Sequence, residues 1–122
     1  MRFIPTRVHG MLDYLMGAVL ILAPWLLDFE DTAAIWVPVV IGASVILYSL
    51  LTDYELGIAR VIPMATHLIL DIVGGLVLAV SPWIFQFNDE VWVPHLVLGL
   101  LEVGAGLMTR TIPSDERLSR TA

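Results

Sequence analysis

The chain has 122 residues and a formal net charge of −6; 58% of its residues are hydrophobic and only 15% are charged. Soluble domains carry about 25% charged residues, so this composition excludes an ordinary soluble protein and indicates one that resides in lipid. Cysteine is absent, which excludes disulfides, thiolate nucleophiles and sulfur-rich metal sites. Because the chain has no basic patch, we predict no nucleic-acid partner.

Four apolar segments are each long enough to cross a bilayer, which takes about 20 helical residues. They cover about residues 8–27, 34–51, 64–85 and 91–109. The first contains Asp13 and ends in acids instead of a cleavage site of small residues, so we expect it to stay in the membrane. We predict an all-α fold, an integral membrane four-helix bundle that forms a single transmembrane domain over residues 1–122.

The connection between the second and third segments begins with a capping-box pattern, TDYE at residues 52–55, and stops before Pro63. Apolar residues stand beside Arg60 there, so we predict a short interfacial helix over about residues 53–63. Residues 111–122 are polar, and we expect them to form a loosely ordered tail.

Charge is distributed unequally along the chain, in a way that predicts the orientation of the spans. All six cationic side chains are arginines, at positions 2, 7, 60, 110, 117 and 120. They fall at the amino end, in the central connection and in the tail, while acids at positions 28, 30, 31, 89 and 90 fill the other two turns. Under the positive-inside rule, this pattern places both termini in the cytoplasm.

The second half of the chain resembles the first at an offset of 58 residues, with 10 identities in the 23 positions from 9 to 31. His9 matches His67, Asp13 matches Asp71, and Pro24-Trp25 matches Pro82-Trp83. This ordered agreement indicates an internal duplication of a two-helix unit. Each unit begins and ends on the same side, so the copies, about residues 7–53 and 64–110, are expected to be parallel repeats about a pseudo-two-fold axis.

A small shift in the alignment, which treats residues near position 33 as an insertion, also matches Trp36 with Trp92. In that register Glu102 stands opposite Ile46, and His95 stands opposite a valine. His95 begins the fourth span, so we expect it to face the headgroups or Glu90.

Each copy carries a proline followed by a tryptophan near the outer end of its first span. Pro24 and Pro82 cannot donate the helical hydrogen bond, so each is expected to kink its helix, and Ser81 is placed to bond the carbonyl that Pro82 frees. An outer aromatic belt at the headgroups is expected from Trp25, Trp36, Trp83 and Trp92. A cage for a cationic ligand is less favoured, because it needs several rings that converge on one point.

The doubled motif, APW at residues 23–25 and SPW at residues 81–83, resembles that of the SPW-repeat family of small bacterial and archaeal membrane proteins. The resemblance covers about residues 7–110 and includes the upstream His-x-x-x-Asp pattern. Ala23 replaces the motif's serine in the first copy, so the hydroxyl is not expected to be indispensable in both halves. The resemblance implies a multi-pass protein of the prokaryotic cytoplasmic membrane and implies no particular activity.

Ionisable side chains inside the predicted spans are the candidate site, because each costs about 2.5–3.5 kcal/mol or more at the centre of a membrane helix. They are His9, Asp13, His67, Asp71 and Glu102. Each histidine precedes its aspartate by four residues, so we expect each pair to hydrogen-bond within its own helix. The three carboxyl groups are expected at a similar depth, roughly 10–12 Å from the cytoplasmic ends of the spans.

Three interpretations of this polar cluster stay open. The favoured one treats the His–Asp pairs as polar contacts that hold helices together. The second treats His9, Asp13, His67 and Asp71 as ligands for zinc or manganese, which requires converging geometry; on the sequence alone they are weak candidates, and we assign no metal and no cofactor. The third is a proton or cation path through the carboxyl groups and histidines, although the outer halves of the spans are apolar.

We therefore predict a structural or scaffolding protein with the lipid bilayer as its partner, and a proton or cation channel or carrier as the alternative. No recognisable catalytic motif is present, so we do not predict an enzyme. Small residues in the third and fourth spans, such as Gly75, Ala79 and Gly99, allow a homo-oligomer. The sequence identifies no small ligand or ion.

Overall fold

The computed structural model describes residues 2–113, which fold into four helices. They are α1 (Thr6–Leu26), α2 (Thr32–Leu50), α3 (Met64–Ile84) and α4 (Val93–Met108). No strand occurs within the described residues; two isolated bridges join Ile4 to Thr109 and Thr52 to Ile62. The predicted all-α four-helix fold is confirmed. The end of the predicted polar tail, from residue 114 onward, lies outside the described residues.

Three of the four helices have the length and apolarity of a membrane span. α1, α2 and α3 contain 21, 19 and 21 residues. α4 is equally apolar but has only 16 residues, about 24 Å of helix, and is shorter than the predicted segment over residues 91–109. Trp92 is its N-cap and Pro94 lies in its first turn, where the missing N–H of proline leaves no helical bond unmade.

Prolines and phenylalanines give α1 and α3 matching ends. Each helix begins after a proline, Pro5 or Pro63, whose carbonyl accepts the first helical bond, from the histidine four residues later, at 3.0 Å. At the other end, Asp28 and Gln86 adopt positive φ angles of 54° and 61°. The residues that follow, Phe29 and Phe87, donate their N–H groups back across the last helical turn. The acceptors are the carbonyls of Pro24 and Pro82, at 2.9 and 2.8 Å. This is the Schellman arrangement that closes a helix.

Two of the carbonyls freed by helix prolines receive side-chain donors. Ser81 donates to the Leu78 carbonyl at 2.7 Å, so the role predicted for its hydroxyl is confirmed. Pro38 in α2 frees the carbonyl of Ala34, which accepts a bond from Nε2 of His95 in α4 at 3.0 Å. The expectation that His95 faces headgroups is therefore wrong, since this residue is 2% exposed and bonds to the neighbouring half of the chain.

Pairs of glycines bring the helices of each half into close contact. A Cβ atom on Gly42 would lie 2.7 Å from the carbonyl oxygen of Gly17, and one on Gly99 would lie 2.5 Å from that of Gly75. Both distances are much shorter than an ordinary van der Waals contact, so only glycine at these positions allows the two backbones to approach this closely. Through these contacts α1 packs on α2, and α3 packs on α4.

The two halves do not meet equally on both sides. α2 packs against α3, whereas α1 and α4 approach each other at very few positions. A cavity of about 540 Å³, which we call the α1–α4 groove, opens between them. Its walls are mostly apolar side chains such as Leu12, Val19 and Leu101. In a strict pseudo-two-fold bundle, a second groove of this kind would open between α2 and α3. These two helices pack against each other instead, so the symmetry of the bundle is incomplete.

The connection between α2 and α3 contains no helix, and the predicted interfacial helix over residues 53–63 is wrong. The chain instead folds back on the end of α2, with the Asp53 N–H bonded to the Ile62 carbonyl at 2.7 Å. The capping box does not form, because Thr52 bonds backward to the Tyr48 carbonyl, and Glu55 accepts a bond from Thr6 of α1. Thr52 is therefore engaged at the end of α2, and Glu55 in a tertiary contact with α1.

The burial pattern aligns α2 with α4 at an offset that differs by one residue from the offset that matches Trp36 with Trp92. The buried positions Pro38, Gly42, Val45 and Ser49 of α2 correspond to His95, Gly99, Glu102 and Gly106 of α4. The structural offset is 57 residues, so Glu102 occupies the place of Val45 and not that of Ile46. The tryptophans are placed differently because Trp36 lies inside α2, whereas Trp92 precedes α4.

Candidate functional site

The histidines and aspartates of α1 and α3 form one buried cluster between the two halves of the chain. Nε2 of His9 lies 2.6 Å from Oδ2 of Asp71, and Nε2 of His67 lies 2.6 Å from Oδ2 of Asp13. The contacts within each helix are longer, at 3.0 Å for His9 with Asp13 and 3.2 Å for His67 with Asp71. The shortest pairing is therefore between helices, and the expected pairing within each helix is secondary.

All four side chains are withdrawn from the surface, with exposed fractions of 0–1%. Each lies within the first eight residues of its helix, so the cluster is about 5–11 Å from the starts of α1 and α3. α1 and α3 have few close backbone approaches. The side chains of the cluster fill the space between α1 and α3. Their hydrogen bonds connect the two helices where the backbones are not in close contact.

Two threonines orient the histidine rings. Thr52, just after α2, donates to the Tyr48 carbonyl at 2.6 Å and lies 2.7 Å from Nδ1 of His67. Thr109, just after α4, donates to the Ala105 carbonyl at 2.6 Å and lies 2.7 Å from Nδ1 of His9. A hydroxyl has one hydrogen to donate, so both threonines accept from the rings, and both histidines carry their hydrogen on Nδ1.

This arrangement determines what the inner ring nitrogens can do. With hydrogen fixed on Nδ1, a neutral ring presents a lone pair at Nε2, and carboxylate oxygens also only accept. A contact of 2.6 Å between two acceptors would be repulsive, so one hydrogen must lie between each Nε2 and its carboxyl partner. The cluster is therefore a symmetric pair of proton-sharing His–Asp contacts across the two halves.

Tyr48 makes the two sides of the cluster unequal. Its hydroxyl, on α2, donates to Oδ1 of Asp71. The structurally matching position on α4 is Ala105, which has no hydroxyl to donate to Asp13. Asp13 instead lines the α1–α4 groove. The missing tyrosine and the open groove are thus on the same side of the molecule.

Glu102 joins Asp13 in the lining of the α1–α4 groove. It is only 3% exposed, and its Oε2 atom is buried without a hydrogen-bond partner among the described residues. Unpaired buried carboxyl oxygens are rare because their desolvation is not compensated. Of the five ionisable residues singled out from the sequence, four form the His–Asp cluster, and Glu102 lies on its groove side.

The family model of the SPW repeat domain matches residues 7–109. The chain belongs to the SPW repeat family. Searches of curated proteins and of solved structures each found no significant match. Three of its helices are long and apolar enough to cross a membrane, so this SPW repeat protein is a membrane protein. The matched region contains all four helices and the whole candidate site.

The motif that names the family lies away from the cluster, at the opposite ends of α1 and α3. In the SPW repeat protein, Trp25 and Trp36 meet edge to face at 6.2 Å, and Trp83 and Trp92 meet at 6.0 Å. All four rings are 45–58% exposed. They form two surface pairs, one in each half, and their interfacial role stays a prediction.

The SPW repeat protein also contains site residues that sequence reasoning missed. Thr52 was interpreted as a helix cap and Thr109 was not considered, although the two correspond at the offset of 57 that relates α2 to α4. Tyr54 closes the cluster from the connection; its ring lies 5.6 Å from that of His67. It is fully buried over Gly10, and this burial raises the pKa of the phenol.

Proposed function

We propose that this SPW repeat protein is a non-enzymatic structural component of the membrane, whose two halves are held together by the His–Asp cluster. One observation carries the proposal: the shortest contacts run from each histidine to the aspartate of the other half. Pairs within one helix would stabilise that helix alone, whereas these crossed pairs connect α1 with α3. The hydrophobic effect contributes little to helix association in a bilayer, because lipid tails are as apolar as the side chains that they surround. Polar contacts such as these can therefore drive the association.

A double-mutant cycle tests this role. His9→Asn and Asp71→Asn, singly and together, would be compared by unfolding in mixed detergent micelles. We expect each single change to destabilise the protein and the pair to show a coupling of about 0.5–1.7 kcal/mol. The exposed Asp89→Asn is the matched control and should have no effect. Additive effects of the two changes would contradict the proposal.

A proton or cation carrier is the second candidate, and the α1–α4 groove favours it. The groove has a volume of about 540 Å³ and brings Asp13 to one cavity with Glu102, whose Oε2 atom has no hydrogen-bond partner among the described residues. Its remaining lining is mainly apolar, including Val19 and Leu98, so polar groups supply only part of a route. Glu102→Gln should abolish proton or cation flux in proteoliposomes if the protein is a carrier, while the exposed Glu30→Gln should not. Wild-type protein without flux would eliminate this candidate.

We further propose that the protein lies in a prokaryotic cytoplasmic membrane with both termini in the cytoplasm. Support comes from the arginines: Arg2 bonds to the carbonyls of Gly106 and Thr109, which puts the start of α1 beside the end of α4. At the opposite end, Glu90 accepts bonds from the backbone N–H groups of Glu30 and Asp31. The described arginines thus lie at one end of the bundle, opposite the turns that carry Glu30, Asp31 and Glu90, which is the asymmetry that the positive-inside rule uses.

The absence of cysteine makes this topology easy to test. Single Asp53→Cys and Asp89→Cys variants would be treated with a membrane-impermeant maleimide in intact cells. We expect labelling at position 89 without permeabilisation and at position 53 only after it. Labelling of both positions in intact cells would refute the orientation.

A further inference from the structure

The inner atoms of the His–Asp cluster form a closed ring in which nitrogen and oxygen alternate. Its four edges, from Nε2 to Oδ2 around the ring, are 2.6, 3.2, 2.6 and 3.0 Å. Each of the four residues offers a ligand atom within 4.8 Å of the others, and all four residues are buried. The sequence left open whether these side chains converge, and in the structure they do.

The surroundings of the ring match those of histidine ligands in metal sites. A metal-binding histidine commonly donates its outer N–H to a fixed acceptor, which sets the tautomer and aims the other nitrogen at the ion. Thr52 and Thr109 supply such acceptors at 2.7 Å, and each is itself held by a backbone carbonyl. The hydroxyl of Tyr48 in turn holds the outer oxygen of Asp71.

We propose that the cluster binds one zinc ion through Nε2 of His9 and His67 and one oxygen each of Asp13 and Asp71. Two neutral imidazoles and two carboxylates carry two negative charges, which a divalent ion neutralises within the apolar interior. The mixed nitrogen and oxygen set suits zinc, whereas magnesium and calcium prefer oxygen alone. The ion replaces the two hydrogens that lie between the nitrogens and oxygens, so two protons leave for each ion bound.

The change in geometry that zinc requires is small. Tetrahedral zinc with bonds of about 2.0–2.1 Å separates its ligand atoms by roughly 3.3 Å. The two edges of 2.6 Å therefore have to widen by roughly 0.7 Å, and those of 3.0 and 3.2 Å by roughly 0.1–0.3 Å, which rotations of the side chains can supply. The α1–α4 groove reaches Asp13 and Glu102, so an opening with otherwise apolar walls leads to the cluster.

This inference concerns the same cluster as the proposed structural function, and zinc would strengthen the connection between the halves. The experiment uses full-length protein purified in detergent without an affinity tag and treated with a chelator. Zn²⁺ is added alone, and binding is measured by elemental analysis and by competition with a chromogenic zinc indicator. We expect one ion per chain. Replacing both orienting threonines, Thr52→Val with Thr109→Val, should weaken binding by about 10–100-fold while leaving the four ligands in place.

Two further readouts keep the inference testable when a ligand variant folds poorly. Co²⁺ bound to wild-type protein should give the visible absorption of a tetrahedral nitrogen and oxygen site, whereas Asp89→Asn should bind zinc like the wild type. Folded wild-type protein that takes up no zinc, or that binds it equally well without the threonines, overturns the metal site. A double-mutant coupling that persists in chelator-treated protein shows that the structural function is correct even if the metal site is not.

Discussion

The contact between α3 and α4 gives the sharpest prediction about stability. In Gly99→Ala the new Cβ would lie 2.5 Å from the carbonyl oxygen of Gly75 and 2.5 Å from the backbone nitrogen of Ala79. Both obstacles are backbone atoms, so no side chain can move aside, and the two helices must separate by about 1 Å to restore ordinary contact. Overpacking of this kind costs about 1–3 kcal/mol, and alanine recovers about 1 kcal/mol through its better helix propensity.

We therefore expect Gly99→Ala to lose up to about 2 kcal/mol of unfolding free energy in a detergent titration followed by tryptophan fluorescence. Gly104→Ala is the matched control in the same helix, because a Cβ there meets no atom within 4 Å. It should be neutral or slightly stabilising. Equal losses for both variants would refute the explanation by close backbone contact and point to a general intolerance of α4 to alanine.

Three other changes can be measured in the same titration. Tyr48→Phe removes the donor to Asp71 and should cost about 1–2 kcal/mol with unchanged helix content in circular dichroism; an undisturbed midpoint would show that this bond contributes nothing. Ser81→Ala leaves the Leu78 carbonyl without its side-chain donor and should cost about 1 kcal/mol, so a more stable variant would count against that bond. Gln86→Gly relieves a positive φ of 61° and should stabilise by about 0.5–1 kcal/mol, so an unchanged or lower midpoint would contradict the argument from backbone strain.

The unequal sides of the cluster connect the two candidate functions. Tyr48 and the packing of α2 on α3 close one side of the cluster. A purely structural role would require both sides of the cluster to be closed. On the other side Ala105 leaves room for a groove lined by Asp13 and Glu102. A variant that fills this side, Ala105→Tyr, would extend the structural arrangement and block access to the cluster. It should slow zinc uptake, whereas Leu107→Tyr, at an exposed position of α4 outside the groove lining, is the steric control.

The sequence by itself determined the four helices of this fold and the identity of its ionisable cluster. The apolar segments predicted the helices, because in lipid a chain must satisfy its backbone bonds within each span. The spacing of histidine and aspartate predicted that each pair shares one helix face. Belonging to the SPW repeat family could also be anticipated, because APW and SPW occur at matching places in the two halves.

Only the tertiary structure decided how those side chains are paired. An interval of four residues is compatible with a bond inside the helix and equally with one to a neighbouring helix, so His9 could not be assigned to Asp71 from spacing. Thr52 looked like a helix cap because the local pattern carries no information about His67, 15 residues away. The groove beside Glu102 likewise arises from the packing of whole helices. Local sequence restricts backbone conformation, whereas these contacts depend on which helix faces meet.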